Sequence, residues 1–188
     1  RSTLFPYTTL FRSVKFITGS PRKNGNSLTM TKAFINAAKE RGHSITIFDA
    51  TSLNVDGCNA CETCFKSGKA CSFDDDFNSI APAILEADTI IYTMPVYWYS
   101  IPAKIKAVID KTFPFYLDGE NVTGKGCGLI CCCAEDDMSV MDGVRIPIER
   151  TAALLKWHMV GEVLITGVQN EGDIEKTDGC KQAAALAT

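Results

Sequence analysis

The sequence predicts an α/β fold in which one parallel five-stranded sheet lies between two layers of helices. Short apolar runs alternate along the chain with stretches of helical periodicity. The apolar runs are continuous rather than alternating, as expected of parallel strands that are buried on both faces. The length, 188 residues, suits a single domain with a sizeable core, and no internal repeat or linker divides the sequence.

Each strand is predicted from a short apolar run, and these runs are 14–18, 44–50, 88–94, 126–134 and 161–168. The segments between them have the 3.6-residue periodicity of amphipathic helices, and they are 27–41, 75–86, 101–113, 144–159 and 173–187. Gly42 is a stop signal for the first helix, and Pro102 is tolerated in the first turn of the third. Five strands in this alternation favour the flavodoxin-like three-layer sandwich with strand order 2-1-3-4-5.

The first thirteen residues differ in character from the rest of the chain. The stretch TLFPYTTLFRS, residues 3–13, matches the translation of a common sequencing-adapter oligonucleotide. We therefore interpret Arg1–Ser13 as a non-native segment and 14–188 as the folded domain. On this interpretation the native N-terminus, whether a short start or a signal peptide, is missing from the sequence.

Composition argues against two classes of partner. The chain has 46% hydrophobic and 22% charged residues and a net charge of −3, which does not favour nucleic-acid binding. No apolar run reaches the roughly 18–20 residues needed to span a membrane. Nine cysteines could form disulfides or stay reduced, but a chain of this length with several buried strands does not need disulfides. Three of them are consecutive in the fourth predicted strand, where they are typical of small buried side chains. We therefore expect a reducing cytoplasm.

The loop after the first predicted strand is GSPRKNGNS, residues 19–27, and it opens a helix. Main-chain N–H groups at the start of a helix favour a bound phosphate. Ser20, Asn26 and Ser27 add hydroxyl and amide donors. The loop has neither the P-loop spacing nor G-x-G-x-x-G. It therefore indicates either a phosphate site or an ordinary loop with an Asn or Ser helix cap.

The loop after the third predicted strand is MPVYWYSIP, residues 94–102. Its aromatic residues Tyr97, Trp98 and Tyr99 follow a buried strand directly, so they either pack in the core or flank a planar ring. In open parallel sheets, ligands bind beyond the carboxyl ends of the strands where the strand order reverses. This loop and the first are predicted to meet at that edge.

These two loops in combination resemble the flavodoxin-like NAD(P)H-dependent FMN reductase family, as does the closing stretch GVQNEGDIEKTD, residues 167–178. The resemblance extends over 14–188. It implies that the first loop binds the FMN phosphate, the second lines the isoalloxazine ring and a third, at 134–137, completes the pocket. The cofactor-binding residues it implies are Ser20, Arg22, Asn26, Ser27, Pro95, Val96, Tyr97, Trp98, Ala134 and Glu135.

The segment CNACETCFKSGKAC, residues 58–71, has the spacing C-x2-C-x2-C-x6-C. Four thiolates this close together suit a 4Fe–4S cluster better than zinc, whose paired ligands come from separated knuckles. The spacing resembles the cysteine motif of iron–sulfur flavoproteins, a branch of the same fold. The predicted metal ligands are Cys58, Cys61, Cys64 and Cys71. Unliganded thiols near the flavin, zinc or a redox disulfide remain open alternatives.

The resemblance predicts an FMN-dependent oxidoreductase that uses NAD(P)H and reduces a quinone, a nitro or azo compound, a flavin or a protein. No catalytic side chain is predicted, because the flavin carries the chemistry. The alternatives are a non-enzymatic electron carrier, with or without a cluster, and a cysteine-based metal-binding or redox-sensing module without flavin. The resemblance also implies a homodimer or homotetramer, since neighbouring subunits commonly complete flavin sites in the family.

Overall fold

The computed structural model describes residues 13–118 and 122–187. Five parallel strands form one sheet in the order β2-β1-β3-β4-β5, which confirms the predicted fold. The strands β1 to β5 are Ser13–Thr18, Ser44–Asp49, Thr89–Pro95, Gly126–Cys132 and His158–Ile165. The chain order reverses between β1 and β3, so the loops after these strands emerge side by side at the carboxyl edge.

Helices cover both faces of the sheet. The helices α1 to α6 are Asn26–Glu40, Phe77–Glu86, Ala103–Asp110, Phe113–Asp118, Asp142–Leu154 and Gly179–Leu186, with 3-10 turns at Met138–Met141 and Asp173–Lys176. One core contains the buried side chains of α1 and α6, such as Met30, Phe34 and Ala183. The other contains those of α2 to α5, such as Phe77 and Ile105. This arrangement is the predicted three-layer sandwich.

Strand β3 lies at the centre of the sheet and divides its side chains between the two cores. Tyr92 and Met94 face one core, and Ile91 faces the other. The parallel register pairs Thr18 with Thr93 across β1 and β3, and Pro95 with Cys132 across β3 and β4. The continuous apolar run that predicted this strand follows from burial on both faces.

The prediction of a fourth helix over 144–159 was wrong at its end. Helix α5 ends at Leu154, and Lys156 adopts a left-handed conformation with φ of 56°. The Trp157 N–H donates to the Ala152 carbonyl and the Lys156 N–H to the Ala153 carbonyl, which is a Schellman motif. Because lysine occupies the position where glycine usually ends a helix, no stop signal is present at this point of the sequence. Strand β5 consequently begins at residue 158 instead of the predicted 161.

Two other predicted helices are interrupted. The helix predicted over 101–113 ends early, because α3 stops at Asp110, Lys111 and Thr112 form a turn, and the separate short helix α4 begins at Phe113. Pro114 lies in the first turn of α4, where its missing N–H costs no intrahelical bond. The helix predicted over 173–187 is a 3-10 turn followed by α6, because Thr177 is extended.

Of the segment interpreted as non-native, Arg1–Ser13, all but its last residue lies outside the described residues. Ser13 begins β1, and its N–H donates to the Asp88 carboxylate at 2.8 Å. Any non-proline residue could make this main-chain contact. Within the described part of the chain, no helix has the length and apolarity needed to cross a membrane.

Candidate functional site

A cavity of about 200 Å³ opens at the carboxyl edge of the sheet, between the loops that follow β1, β3, β4 and β5. Eight of the ten residues predicted to bind the cofactor line it: Ser20, Arg22, Asn26, Ser27, Pro95, Val96, Tyr97 and Ala134. The other two, Trp98 and Glu135, line an adjoining cavity of about 180 Å³ that shares Val96, Cys133 and Ala134 with the first. The fold thus brings all ten residues to one edge.

The start of helix α1 forms the floor of the larger cavity. Gly25 is the N-cap residue and no side chain caps the helix, while the first intrahelical bond runs from the Thr29 N–H to the Gly25 carbonyl. The N–H groups of Asn26, Ser27 and Leu28 precede that bond and have no intrahelical partner. N–H groups in this position, at the positive end of the helix dipole, favour an anion.

Asn26 differs from its predicted role. Its side-chain Nδ2 donates to the carbonyls of Val168 and Asn170, and its Oδ1 accepts from the Ile174 N–H. Both side-chain N–H groups therefore fasten α1 to the loop after β5 and do not remain for a phosphate. The main-chain N–H of Asn26 still lies at the helix start, so the correction concerns its side chain.

A buried hydroxyl pair connects the start of α1 to β3. Thr31 Oγ1 lies 2.9 Å from the Ser27 carbonyl oxygen and 2.7 Å from Thr93 Oγ1. Because Thr31 has one hydroxyl proton, donation to Ser27 leaves Thr93 to donate to Thr31. The chain of bonds fixes the first turn of α1 against the sheet, below the cavity floor.

The aromatic residues after β3 form a tight turn. Tyr97 and Ser100 exchange main-chain hydrogen bonds, and the two residues between them, Trp98 and Tyr99, have φ of 47° and 59°. Positive φ at both central residues is the geometry of a type I′ turn, which usually needs Gly, Asn or Asp. Backbone strain of this kind is concentrated at functional sites. The turn leaves the Trp98 side chain 94% exposed.

The same turn contacts the loop after β4. A hydrogen bond to Glu135, together with its negative charge, raises the pKa of Tyr99. Both residues line the smaller cavity, where this bond joins the loop after β3 to the loop after β4. The smaller cavity therefore has the aromatic residues Trp98 and Tyr99 on one side and the acidic residue Glu135 on the other.

Two thiols that the sequence did not assign to the site also line the larger cavity. Burial raises the pKa of Cys132 to about 12, and burial likewise raises the pKa of Cys133. Both side chains are therefore neutral near pH 7 and add no negative charge beside a bound anion. Their position at the end of a buried strand made them indistinguishable, in the sequence, from core residues.

Val168 and Gln169, after β5, complete the lining. The sequence-based prediction missed them because it considered only the loops after strands one, three and four. The loop after β5 reaches the cavity since Asn26 holds it there through Val168 and Asn170. Asn26, at the end of the first loop, therefore holds the loop after β5 against the cavity.

The four cysteines of the C-x2-C-x2-C-x6-C segment surround a separate small cavity of about 20 Å³, together with Lys111, Phe113 and Pro114. Cys61 Sγ lies 3.0 Å from Thr63 Oγ1, a hydrogen bond that lowers the pKa of Cys61. Burial raises the pKa of Cys64. None of the nine cysteines, all of them in described positions, forms a disulfide.

Both ends of this cysteine loop are attached to the start of helix α2. Before the loop, the N–H groups of Asn54 and Asp56 donate to the Asp76 and Asp75 carboxylates. After it, the Cys71 N–H donates to the Asn78 side chain at 2.9 Å. The fixed ends bring all four thiols to one cavity.

Between these ends the backbone is strained. The loop contains three non-glycine residues with positive φ: Ala60 at 49°, Glu62 at 55° and Phe65 at 60°. Each such residue costs of order 1–3 kcal/mol, and they alternate with Cys61 and Cys64. The strain is therefore concentrated in the part of the loop that carries these two cysteines.

The donor set suits an iron–sulfur cluster, although the thiols are not assembled as ligands. Over residues 13–118 and 122–187, no group of three or more His, Cys, Asp or Glu side chains has metal-binding geometry. A cavity of about 20 Å³ holds little more than one water molecule. The cluster would therefore require the loop to open around it while its ends stay attached to α2.

A buried ion pair adjoins this cavity. The side chains of Lys111 and Asp75 are 3% and 5% exposed and are in direct contact. Burial alone would lower the pKa of Lys111, but the hydrogen bond and charge of Asp75 outweigh burial and raise it. Lys111 is therefore a buried cation at neutral pH.

Comparison with known proteins places the chain in a family. A family model described as NADPH-dependent FMN reductase matches residues 13–142, more than half of the chain. An iron-sulfur flavoprotein of Archaeoglobus fulgidus is 32% identical over 110 residues, which cover 58% of this chain and 48% of that protein. The chain spans about half the length of the curated relatives it matches.

Solved structures share the fold at low sequence identity. An NAD(P)H:quinone oxidoreductase from Methanothermobacter marburgensis has a TM-score of 0.68 at 16% identity, covering 93% of this chain and 97% of its own. An FMN-dependent NADH-azoreductase from Bacillus anthracis in complex with FMN has a TM-score of 0.70 at 16% identity, with the same coverages. These similarities establish the flavodoxin-like architecture.

Proposed function

Since this chain belongs to the NADPH-dependent FMN reductase family, we propose that it is an FMN-dependent oxidoreductase that takes electrons from NADH or NADPH. The observation that carries the proposal is the cavity at the carboxyl edge of β1 and β3. There, uncapped N–H groups of α1 adjoin an aromatic turn. An anion and a planar ring, the two parts of FMN, match these two halves of one site.

In this proposal the N–H groups at the start of α1 and the Ser20 and Ser27 hydroxyls bind the phosphate. Arg22 also lines the cavity, and its guanidinium neutralises part of the negative charge of the phosphate. The loop after β3 flanks the ring on one side with Pro95, Val96, Tyr97 and Trp98. The loop after β4 flanks it with Ala134 and Glu135. Bound FMN would supply the hydride and electron chemistry, while these residues orient it.

The neutral thiols of Cys132 and Cys133 fit this assignment. A thiolate at either position would repel the phosphate dianion at short range, whereas a protonated thiol does not. Burial keeps both thiols protonated near pH 7. The cavity therefore combines a positive helix terminus with uncharged walls.

We propose a small planar acceptor, such as a quinone, a nitro or azo compound or a free flavin. The proteins of similar fold whose names specify quinone and azo reduction support this class. The exposed indole of Trp98, at the mouth of the site, offers a stacking surface for such a molecule. A protein acceptor remains the alternative within the same function.

The test is a flavin spectrum followed by turnover. Purified protein incubated with FMN and desalted should retain the flavin absorbance bands at close to one FMN per chain. It should then oxidise NADH or NADPH repeatedly when a quinone is present. Retained FMN without turnover would favour the electron-carrier alternative, and no retained FMN would favour a cysteine-based module without flavin.

A second function is supported by the cysteine loop and the relatives named iron-sulfur flavoproteins. We propose that Cys58, Cys61, Cys64 and Cys71 hold a 4Fe–4S cluster, which transfers electrons singly. Protein reconstituted anaerobically with iron and sulfide should contain about four irons per chain and absorb broadly near 400 nm. Cys61→Ser should lose most of the iron, whereas Cys180→Ser, outside the cluster loop, should keep it. Wild-type protein without stoichiometric iron would exclude the cluster.

Three further expectations remain proposals. We propose a homodimer or homotetramer, supported by the exposed aromatic residues at the cavity mouth, and light scattering would measure the mass of the oligomer.

We propose a reducing compartment such as the cytoplasm, supported by nine unpaired cysteines. We also propose that Arg1–Ser13 is not native. N-terminal sequencing of the protein from its source would test that.

A further inference from the structure

Lys111 is a buried lysine at the wall of the cysteine cavity. Its side chain is 3% exposed, and it lines the cavity with all four cysteines of the motif. The other lysines near the loop differ, because Lys66 is exposed and Lys69 forms a surface ion pair with Asp74. Lys111 comes from the end of α3, so the sheet and helix layer fix its position independently of the cysteine loop.

The bonds around Lys111 leave part of its ammonium available to the thiols. An ammonium group has three donors, and one of them contacts Asp75. The Asp75 carboxylate also accepts the N–H groups of Asp56 and Phe77. Lys111 also lies close enough to the Cys71 thiol to interact with it. Lys111 lines the cavity with the four cysteines, whereas Asp75 is not among the residues that line it.

A contribution to the stability of the fold does not by itself explain why Lys111 and Asp75 form a buried ion pair. A buried pair contributes little compared with apolar side chains of the same volume, because both charges lose their hydration. The apolar residues Phe73, Phe113 and Pro114 line the same cavity as Lys111. A fixed cation is instead useful beside a group that carries negative charge, and four thiolates around an iron–sulfur core leave that group anionic.

We propose that Lys111 is the charge-compensating residue of the cysteine site. Its buried ammonium stabilises the anionic thiolate-bound cluster and favours the state that carries one more electron. Asp75 positions that ammonium while it holds the start of the cysteine loop. The inference rests on the cluster proposed above and assigns no direct chemistry to Lys111.

The test compares reduction of the reconstituted cluster in charge variants. At the potential that half-reduces the wild-type cluster, Lys111→Gln should lower the ratio of reduced to oxidised cluster by about tenfold or more. Lys111→Arg, which keeps the charge, should restore most of the ratio. Lys69→Gln removes an exposed charge from the loop itself and should change the ratio little. Electron paramagnetic resonance of the reduced cluster gives the ratio without an activity assay.

A second variant covers the case in which Lys111→Gln does not fold because Asp75 loses its partner. Lys111→Gln combined with Asp75→Asn restores a neutral hydrogen-bonding pair and should show a smaller decrease in the same ratio. Suppose that Lys111→Gln and its combination with Asp75→Asn both bind stoichiometric iron and both keep the wild-type ratio of reduced to oxidised cluster. That result would overturn the role of Lys111 and leave the cluster proposal intact. Wild-type protein that binds no iron would overturn the cluster proposal and this inference with it.

Discussion

Gly143 of helix α5 lies against the main-chain carbonyl of Tyr99, so closely that a Cβ on Gly143 would be 1.7 Å from the carbonyl oxygen. Tyr99 belongs to the strained turn that carries Trp98. The glycine therefore allows α5 to support the turn from behind. The position of the aromatic side of the site thus depends on a residue outside the cavity.

Gly143→Ala should move the aromatic turn, because the main chain of Tyr99 cannot remain where it is. We expect FMN affinity to fall several-fold and the free energy of unfolding to fall by about 1–3 kcal/mol. Fluorescence titration with FMN and urea unfolding measure the two effects. Gly57→Ala is the matched control, since a Cβ there meets nothing within 4 Å. Equal effects of the two substitutions would contradict the supporting role of Gly143.

The strain at Trp98 predicts an unusual order of stability. Trp98→Gly and Trp98→Ala both remove the exposed indole, but only glycine relieves the positive φ. We expect the glycine variant to be more stable than the alanine variant by about 1 kcal/mol, measured by urea unfolding. Both variants should bind FMN more weakly than wild type. An alanine variant at least as stable as the glycine variant would show that the turn is relaxed.

Arg22 and Lys23 are adjacent exposed cations, but only Arg22 lines the cavity. Arg22→Gln should weaken FMN binding several-fold and leave riboflavin, which lacks the phosphate, nearly unchanged. Lys23→Gln removes the same charge one residue away and should have a much smaller effect on both ligands. Isothermal titration with the two flavins measures the contrast. Similar losses for both variants would indicate a diffuse charge effect instead of a phosphate contact.

The buried thiols predict that stability falls at alkaline pH. Burial raises the pKa of Cys127 to about 12. Below the ordinary thiol pKa, the folded and unfolded states both keep this proton. Above it the unfolded state loses the proton while the folded state keeps it until about pH 12. The free energy of unfolding therefore falls as pH rises, by up to about 1.4 kcal/mol per pH unit for each such thiol.

Cys127→Ala removes one of these thiols from a position distant from the cavity. The variant should be less stable than wild type at pH 7, because packing is lost, but its stability should decline less steeply above pH 9. Urea unfolding at several pH values between 7 and 10.5 measures both slopes. Parallel curves for variant and wild type would show that Cys127 does not titrate as buried thiols do.

The fold could be predicted because each strand is buried on both faces and therefore leaves an uninterrupted apolar run. The ends of helices and strands were harder to predict where a residue adopts a conformation that is unusual for its type. Lys156 ends α5 in a left-handed conformation that sequence preference assigns to glycine. Pro114, in contrast, is typical of the first turn of a helix, and α4 begins at Phe113, where the predicted helix was expected to end.

The site was predictable to the level of its loops and not to the level of each side chain. Asn26 looked like a phosphate donor because nothing local reveals that Val168 and Asn170 pack against it. Cys132 and Cys133 looked like core residues, since they continue a buried strand. Contacts between residues far apart in the chain decide such roles, and a single sequence does not contain them.

The decisive measurement for a phosphate site at the start of α1 is the affinity of Ser27→Asp for FMN and for riboflavin. In wild-type protein, FMN should bind at least about tenfold more tightly than riboflavin. In Ser27→Asp, a carboxylate next to the phosphate position should remove most of that preference, while riboflavin binding, which also reports an intact fold, is largely kept. Equal affinities for the two flavins in wild type, or an unchanged preference for FMN in Ser27→Asp, would show that the phosphate does not bind at the start of α1.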